Sequence, residues 1–435
     1  MQHGLELVGS DVLVPLRDGQ LVRHRDFDHA ATTPSLRRVQ DAVTEFLPYY
    51  AAVHRSAGWK SARSSEHVEQ ARERVARFVG ARADDVVVFT RSTTDAVNIL
   101  SEATPEDTTV VVFDGEHHAN MLPWRRRRTV MLPTPEHRHL VAPALDEALR
   151  RLPAPVLVAV TGASNVTGDL WPIAEIVETA RKHGARVFVD AAQLAPHAPV
   201  DLASTGADWV AFSGHKMYAP FGAGALVGRR DWLEQREPWL RGGGAVSFVS
   251  TDDVEWLGAP HRQEAGTPNA VGIVALGEAC AALQELDMRK VAAAEDLTAR
   301  ELDRCLDSVE GIRRLRLWQE GPRIGVATFE WHGMSHHDVG VELAARHAIS
   351  VRTGCFCAHP LVMRLLGVPQ SESSALKSAL RRGEQVSLPG AVRVSTGLGT
   401  RDDDVAALSQ ALADISEGKA AGRRRESAVV SPGSL

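Results

Sequence analysis

Apolar and polar positions alternate along this chain in two periods. Short runs that are apolar at nearly every position, residues 85–90, 108–113, 156–160 and 186–190, predict strands buried on both faces. Between them lie stretches with helical spacing, at 65–79 (stopped at Gly80), from 94 to 100, and at 172–183 (ended by Gly184). This βα alternation predicts an α/β fold, a mostly parallel sheet flanked by helices, with any ligand beyond the carboxyl ends of the strands. After about residue 275 the pattern changes. One long helical stretch over 271–309 leads to strands at 313–317 and 325–331, a helix at 337–346, strands at 348–351 and 391–395, and a helix at 402–415, which suits a smaller α+β unit. The predicted organisation is therefore an N-terminal arm (1–25), a large domain (26–275), a small domain packing with the arm (276–418) and a structureless tail (419–435).

The bulk numbers narrow the class. The chain has 435 residues, 44% hydrophobic and 24% charged, too many for one compact core. A net charge of -6 argues against a general nucleic-acid binder, and the run Arg125 to Arg128 reads as a solvated strand edge or the rim of an anionic site. Neither a membrane span nor a signal-peptide pattern is evident, so the cytoplasm is expected. Four cysteines form no disulfide scaffold; Cys280 and Cys305 fall in helical patterns and read as small buried hydrophobes.

The chemistry concentrates at strand ends. Lys216 closes Ser213-Gly214-His215-Lys216, directly after the apolar run that ends at Phe212. A lysine at that depth suits Schiff-base formation, because a desolvated amine is neutral and nucleophilic. Upstream, Val187-Phe188-Val189-Asp190 ends a second strand in an acid, which suits the pyridinium nitrogen of pyridoxal 5'-phosphate (PLP). Arg91-Ser92-Thr93-Thr94-Asp95 stands between a strand and a helix, where free N–H groups and hydroxyls favour a phosphate; an ordinary helix cap is the simpler reading, and both hold together. Ser213 and His215 are placed to add phosphate contacts. His117, in Glu116-His117-His118-Ala119-Asn120, could stack on a cofactor ring, while Asn165 and Gln193 could reach its hydroxyl.

These motifs, in this order, resemble the class V aminotransferase superfamily of fold-type I PLP enzymes, most closely the group-II cysteine desulfurases and selenocysteine lyases. The resemblance also takes in Asp28 to Pro34, His54-Arg55, Gly242-Gly243-Gly244, Glu264 to Asn269 and Arg352-Thr353-Gly354, and spans roughly residues 25–415. It implies Lys216 as the cofactor-bound lysine and proton shuttle, His117 on the ring, Asp190 on the pyridine nitrogen, and Asn165 and Gln193 near the phenolic oxygen. Thr93, Thr94, Ser213 and His215 would hold the phosphate, with Thr267 reaching the other subunit's site in a homodimer. Arg393 would grip the substrate carboxylate, with Arg352 supporting that pocket.

Cys357, five residues after Arg352, matches the sulfur-accepting cysteine of the group-II desulfurases. The resemblance implies that it takes sulfur from L-cysteine, leaves alanine, and passes its persulfide to an acceptor protein. A metal site at Cys355, Cys357 and His359 lacks a fourth ligand and the usual spacing. Other class V chemistries remain open on the same residues: a selenocysteine or C–S β-lyase, an epimerase or a transaminase. A catalytically silent binding partner is a further alternative, disfavoured by intact Lys216, Asp190, His117 and Arg393. Four departures from the family pattern stand out: Cys355-Phe356 in place of paired histidines, extra residues at 363–385 expected as a flexible loop and helix, a shorter segment after Trp124 that holds the arginine run, and Ser92 in place of glycine.

Overall fold

The computed structural model describes residues 5–429, with side chains to 418. A seven-stranded sheet forms its centre, in the order Asp85–Thr90, Gly224–Arg229, Trp209–Ser213, Arg186–Asp190, Val156–Thr161, Thr109–Phe113, Arg128–Leu132. Only Gly224–Arg229 runs antiparallel to its neighbours. The continuous apolar runs have a simple cause. Alternate residues of each strand enter two different cores: Val87, Val111, Val158 and Val187 one, and Val88, Val112, Leu157 and Phe188 the other. Helices therefore cover both faces, and polar side chains are left to the strand ends.

The second sheet is four-stranded and antiparallel, ordered Ile312–Leu315, Val326–Trp331, Ala391–Ser395, Arg352–Gly354. It encloses a separate core around Phe329, Leu343 and Leu412. The N-terminal segment folds onto this part of the molecule, since Arg25–Asp26 pairs in parallel with Ile349–Ser350 and the Arg17 amide donates to the Ala345 carbonyl at 2.8 Å. Buried Arg323 ties the two sheets' surroundings together, donating to Thr167 O at 3.2 Å and Asp303 Oδ2 at 2.7 Å. Removing Arg323 would leave the Asp303 carboxylate without one of its partners in a half-dry setting, which is a costly change.

Four expectations are corrected. The stretch 271–309 is two helices, Ala270–Glu285 and Met288–Asp307, because Leu286 is extended and Asp287 caps the second through the Arg289 amide. The strand expected at 348–351 is shortened to Ile349–Ser350, which pairs with the arm, and a further strand, Arg352–Gly354, follows it and joins the four-stranded sheet. The extra segment is helical, His359–Leu366 then Gln370–Arg381, parted by left-handed Gly367 (φ 72°). Finally, the helix Asp402–Val429 runs on past 418, through a stretch rich in Ala and Arg, both good helix formers. Residues 430–435 of the expected tail lie outside the described residues.

Candidate active site

Both ends of the sheet argument meet in one cavity of about 290 Å³, near the lower bound of small-molecule sites (about 300 Å³). Lys216, Asp190, His117, Asn165, Gln193, Thr93, Thr94, Ser213, His215, Arg393, Arg352 and Cys357 all line it, so of the residues expected to hold cofactor or substrate, Thr267 alone is elsewhere. Thr267 lies in a separate depression with His54, Arg55 and Gly244.

The floor is built by strand ends. Trp209–Ser213 stops in a tight turn, Gly214–Lys216, which needs glycine: a Cβ at 214 would stand 2.8 Å from the Ala223 carbonyl oxygen. That turn delivers Lys216 into the interior. Burial pushes its amine down to about 8, opposed by Asp190 and Cys357, so its charged form is disfavoured where a neutral nucleophile is useful. Asp190 ends the neighbouring strand, accepts from the Ala192 amide at 2.9 Å, and has its carboxyl raised by burial. A cation seated against it would reverse that direction.

At the first strand of the sheet, the Thr93 amide donates to Ser213 Oγ at 2.7 Å and its hydroxyl shares a bond with the same oxygen at 2.8 Å. The helix Thr93–Ala103 thus opens toward the cavity, beside Thr94 and His215. Ser92 caps that helix through the Asp95 amide, so the cap and the anion-favouring end coincide. His117 is held from one side: its Nδ1 accepts from the Ala119 amide at 3.0 Å, leaving the ring proton on Nε2. Burial first, then Lys216, His118 and Arg393, push it down to about 3, so the ring is neutral at pH 7.

The rim is a different kind of structure. Cys355 to Ala358 form a turn closed by the Ala358 amide on Cys355 O at 2.9 Å, with both central residues left-handed, Phe356 at φ 53° and Cys357 at φ 55°. Neither is glycine, so the turn is strained and needs outside support. Asn165 Nδ2 donates to Phe356 O at 2.8 Å and the His118 amide to Cys357 O at 2.8 Å. Those two bonds hold the exposed Cys357 over the cavity.

Arg393, 3% exposed, rises from the middle of the four-stranded sheet. It donates to Asn165 O at 2.9 Å and Asp28 Oδ1 at 3.1 Å, and lies over the Phe356 ring at 5.2 Å. Burial pulls its guanidinium down to about 10, with Asp28 opposing. Arg352 pairs with the other oxygen of Asp28 at 2.8 Å. Asp28, which sequence reasoning quoted in a motif without a role, therefore orients both arginines. Glu116 was passed over in the same way. Fully buried, it accepts from the Thr161 amide at 2.9 Å and Asn120 at 2.7 Å, and burial drives it up to about 8. The only advance signal for either was its place beside a motif histidine.

Among the remaining expectations, Arg128–Leu132 is an edge strand and Arg127 donates to the Ser101 and Glu102 carbonyls, so the arginine run is a solvated edge and not a site rim. Cys280 and Cys305 are buried, and desolvation raises both thiols. Among the described residues, no helix is long and apolar enough to cross a membrane, and no group of three or more His, Cys, Asp or Glu is arranged to hold a metal.

The residues present fit the cofactor that the sequence implies. Asp190 is a buried carboxylate with no cation bonded to it, Gln193 Oε1 and Arg393 Nε are buried without hydrogen-bond partners, and a helix opens onto the same cavity. Comparison with known proteins agrees. The sequence pattern of the family described as aminotransferase class-V matches residues 26–408. A cysteine desulfurase of Salmonella agona (strain SL483) is 34% identical over 386 residues, covering 85% of this chain and 92% of its own, and one of Klebsiella pneumoniae (strain 342) is 35% identical over 382, covering 84% and 91%. Among solved structures, the apo cysteine desulfurase of Thermococcus onnurineus NA1 has a TM-score of 0.78 at 28% identity, covering 91% of this chain and 95% of that one. The Escherichia coli cysteine desulfurase CsdA, in an S-sulfonic acid form, has a TM-score of 0.76 at 30% identity, covering 90% and 94%. This chain belongs to the class-V aminotransferase family.

Proposed function

We infer that the protein is a PLP-dependent cysteine desulfurase that converts L-cysteine to L-alanine and leaves a persulfide on Cys357. The observation that carries this reading is the meeting of Lys216 and buried Asp190 with an exposed cysteine in one cavity. Its desulfurase relatives support the choice of reaction. Lys216 would hold the cofactor covalently, with Asp190 on its ring nitrogen, His117 on its face, Asn165 and Gln193 near its hydroxyl, and Thr93, Thr94, Ser213 and His215 at its phosphate. When bound, PLP acts as the electron sink that lets bonds at the substrate's α and β carbons break.

The protein's own groups do the rest. Arg393 grips the substrate carboxylate, exchanging the Asp28 contact for a bidentate one, while Arg352 keeps Asp28 in place. Lys216 Nζ, lowered by burial to about 8, takes and returns protons at carbon. Cys357 Sγ attacks the substrate sulfur; the new S–S bond forms as the C–S bond breaks. The family resemblance further leads us to propose a cytoplasmic homodimer as the working unit, in which Thr267 of each chain would complete the phosphate site of the other and a sulfur-acceptor protein would discharge Cys357.

The test is product stoichiometry. Holoenzyme given L-cysteine and a reductant should release alanine and sulfide in equal amounts, and Cys357→Ala should lower cysteine turnover by about a hundredfold. Unchanged turnover in that variant would make the protein a simple lyase.

A further inference from the structure

Cys355 has no part in the reaction just described, and its setting is unusual for a spare thiol. It is buried, its Sγ donates to the Pro389 carbonyl at 3.1 Å, and it is the first residue of the turn whose third residue is Cys357. A turn of this kind folds two Cα–Cα steps of about 3.8 Å back on themselves, which brings the first and third Cα to roughly 5.5 Å. Disulfides span Cα separations of about 4.4–6.8 Å. Gly354, at φ 109° and with open space around it, precedes the turn and can absorb the rotation that faces one thiol to the other.

We propose that Cys355 is a resolving thiol for sulfur carried on Cys357, so that the loop discharges itself when no acceptor arrives. The inference rests on the desulfurase reading. Cys355 Sγ, having lost its proton, attacks Sγ of the Cys357 persulfide. A Cys355–Cys357 disulfide forms, the bond to the outer sulfur breaks, and that sulfur leaves with the electron pair as hydrosulfide. In this step Cys355 Sγ is oxidised and the outer sulfur is reduced, while Cys357 Sγ keeps the oxidation level it reached as a persulfide, so no outside oxidant enters. An external dithiol then restores both thiols and is itself oxidised to a disulfide.

The extra segment explains why this pair is selective. The coil that leads from it to the strand Ala391–Ser395 carries Pro389 over Cys355, which shields that thiol from solvent reagents while Cys357 stays open. Burial also raises the Cys355 thiol, which slows its attack and leaves an acceptor protein time to collect the sulfur first. Phe356, between the two cysteines, lies on the Arg393 guanidinium at 5.2 Å, so a disulfide that twists the turn also disturbs the carboxylate grip. The oxidised loop is thereby a closed state of the enzyme, reopened by dithiol.

The experiment gives holoenzyme one equivalent of L-cysteine without reductant, then measures alanine, sulfide and the mass of the peptide holding both cysteines. The expected result is one sulfide per alanine and a peptide lacking two hydrogens, neither thiol open to alkylation. Cys355→Ser should instead keep the added sulfur on Cys357 and release sulfide at least about tenfold more slowly. Wild-type protein that forms alanine, retains the added sulfur and leaves Cys355 open to alkylation after unfolding overturns the inference alone. Absence of alanine in both proteins overturns the desulfurase reading, and this inference with it.

Discussion

The floor and the rim of the cavity are made by opposite means. Floor residues sit at the ends of central strands, between two dry cores, where Gly214 has no room for a side chain. Their geometry is set by the packing of both cores, so a lysine and an aspartate can be held in unfavourable surroundings without yielding. Rim residues sit on the edge strand Arg352–Gly354 and a turn with two left-handed non-glycine residues, held by single hydrogen bonds from Asn165 and the His118 amide. On the proposed function, the floor would fix the cofactor and the rim would move to deliver sulfur elsewhere. Stability therefore belongs to one region and chemical identity to the other.

The largest effect expected from this contrast is at the floor. Lys216→Ala should remove the yellow absorbance band and lower turnover by on the order of a thousandfold or more, with the fold intact by circular dichroism. A variant that stays yellow and active would mean the cofactor is held by something other than that amine. At the boundary of the two regions, Arg393→Lys should lower kcat/KM by about ten- to a hundredfold, mostly through KM, because an ammonium cannot make the bidentate contact. An effect confined to kcat would place Arg393 in the chemistry and not in binding.

A smaller and graded effect follows from burial of Lys216. Its folded value is lowered to about 8 from 10.5, so the free amine accumulates as pH rises toward 8 and is complete above it. At pH 7 roughly one amine in ten is free, against roughly one in three thousand for an ordinary lysine. Capture of an aldehyde probe by apoenzyme should accordingly rise about tenfold per pH unit below 8 and level off above. A rise that continues to pH 10 would show an amine in contact with solvent.

Sequence revealed the two regions unequally, and for a physical reason. Strands buried on both faces must be apolar at every position, so Lys216 and Asp190 stand out as polar residues where such runs end. The rim gives no such signal. Phe356 and Cys357 adopt a conformation usually marked by glycine or asparagine, and only tertiary hydrogen bonds permit it. Asp28 meets Arg393 across 365 residues of sequence, a pairing that local pattern cannot carry. The break at Leu286 was equally hidden, because apolar spacing continues through it with no glycine or proline to mark the end.

The most direct measurement of the central claim is where substrate sulfur goes in the first turnover. Holoenzyme carrying Cys355→Ser, mixed with one equivalent of sulfur-labelled L-cysteine and quenched early, should hold one labelled sulfur per subunit on Cys357, matched by one alanine. Alanine formed with the label free in solution and Cys357 unmodified would contradict the account, leaving a floor that breaks the bond and a rim that takes no part.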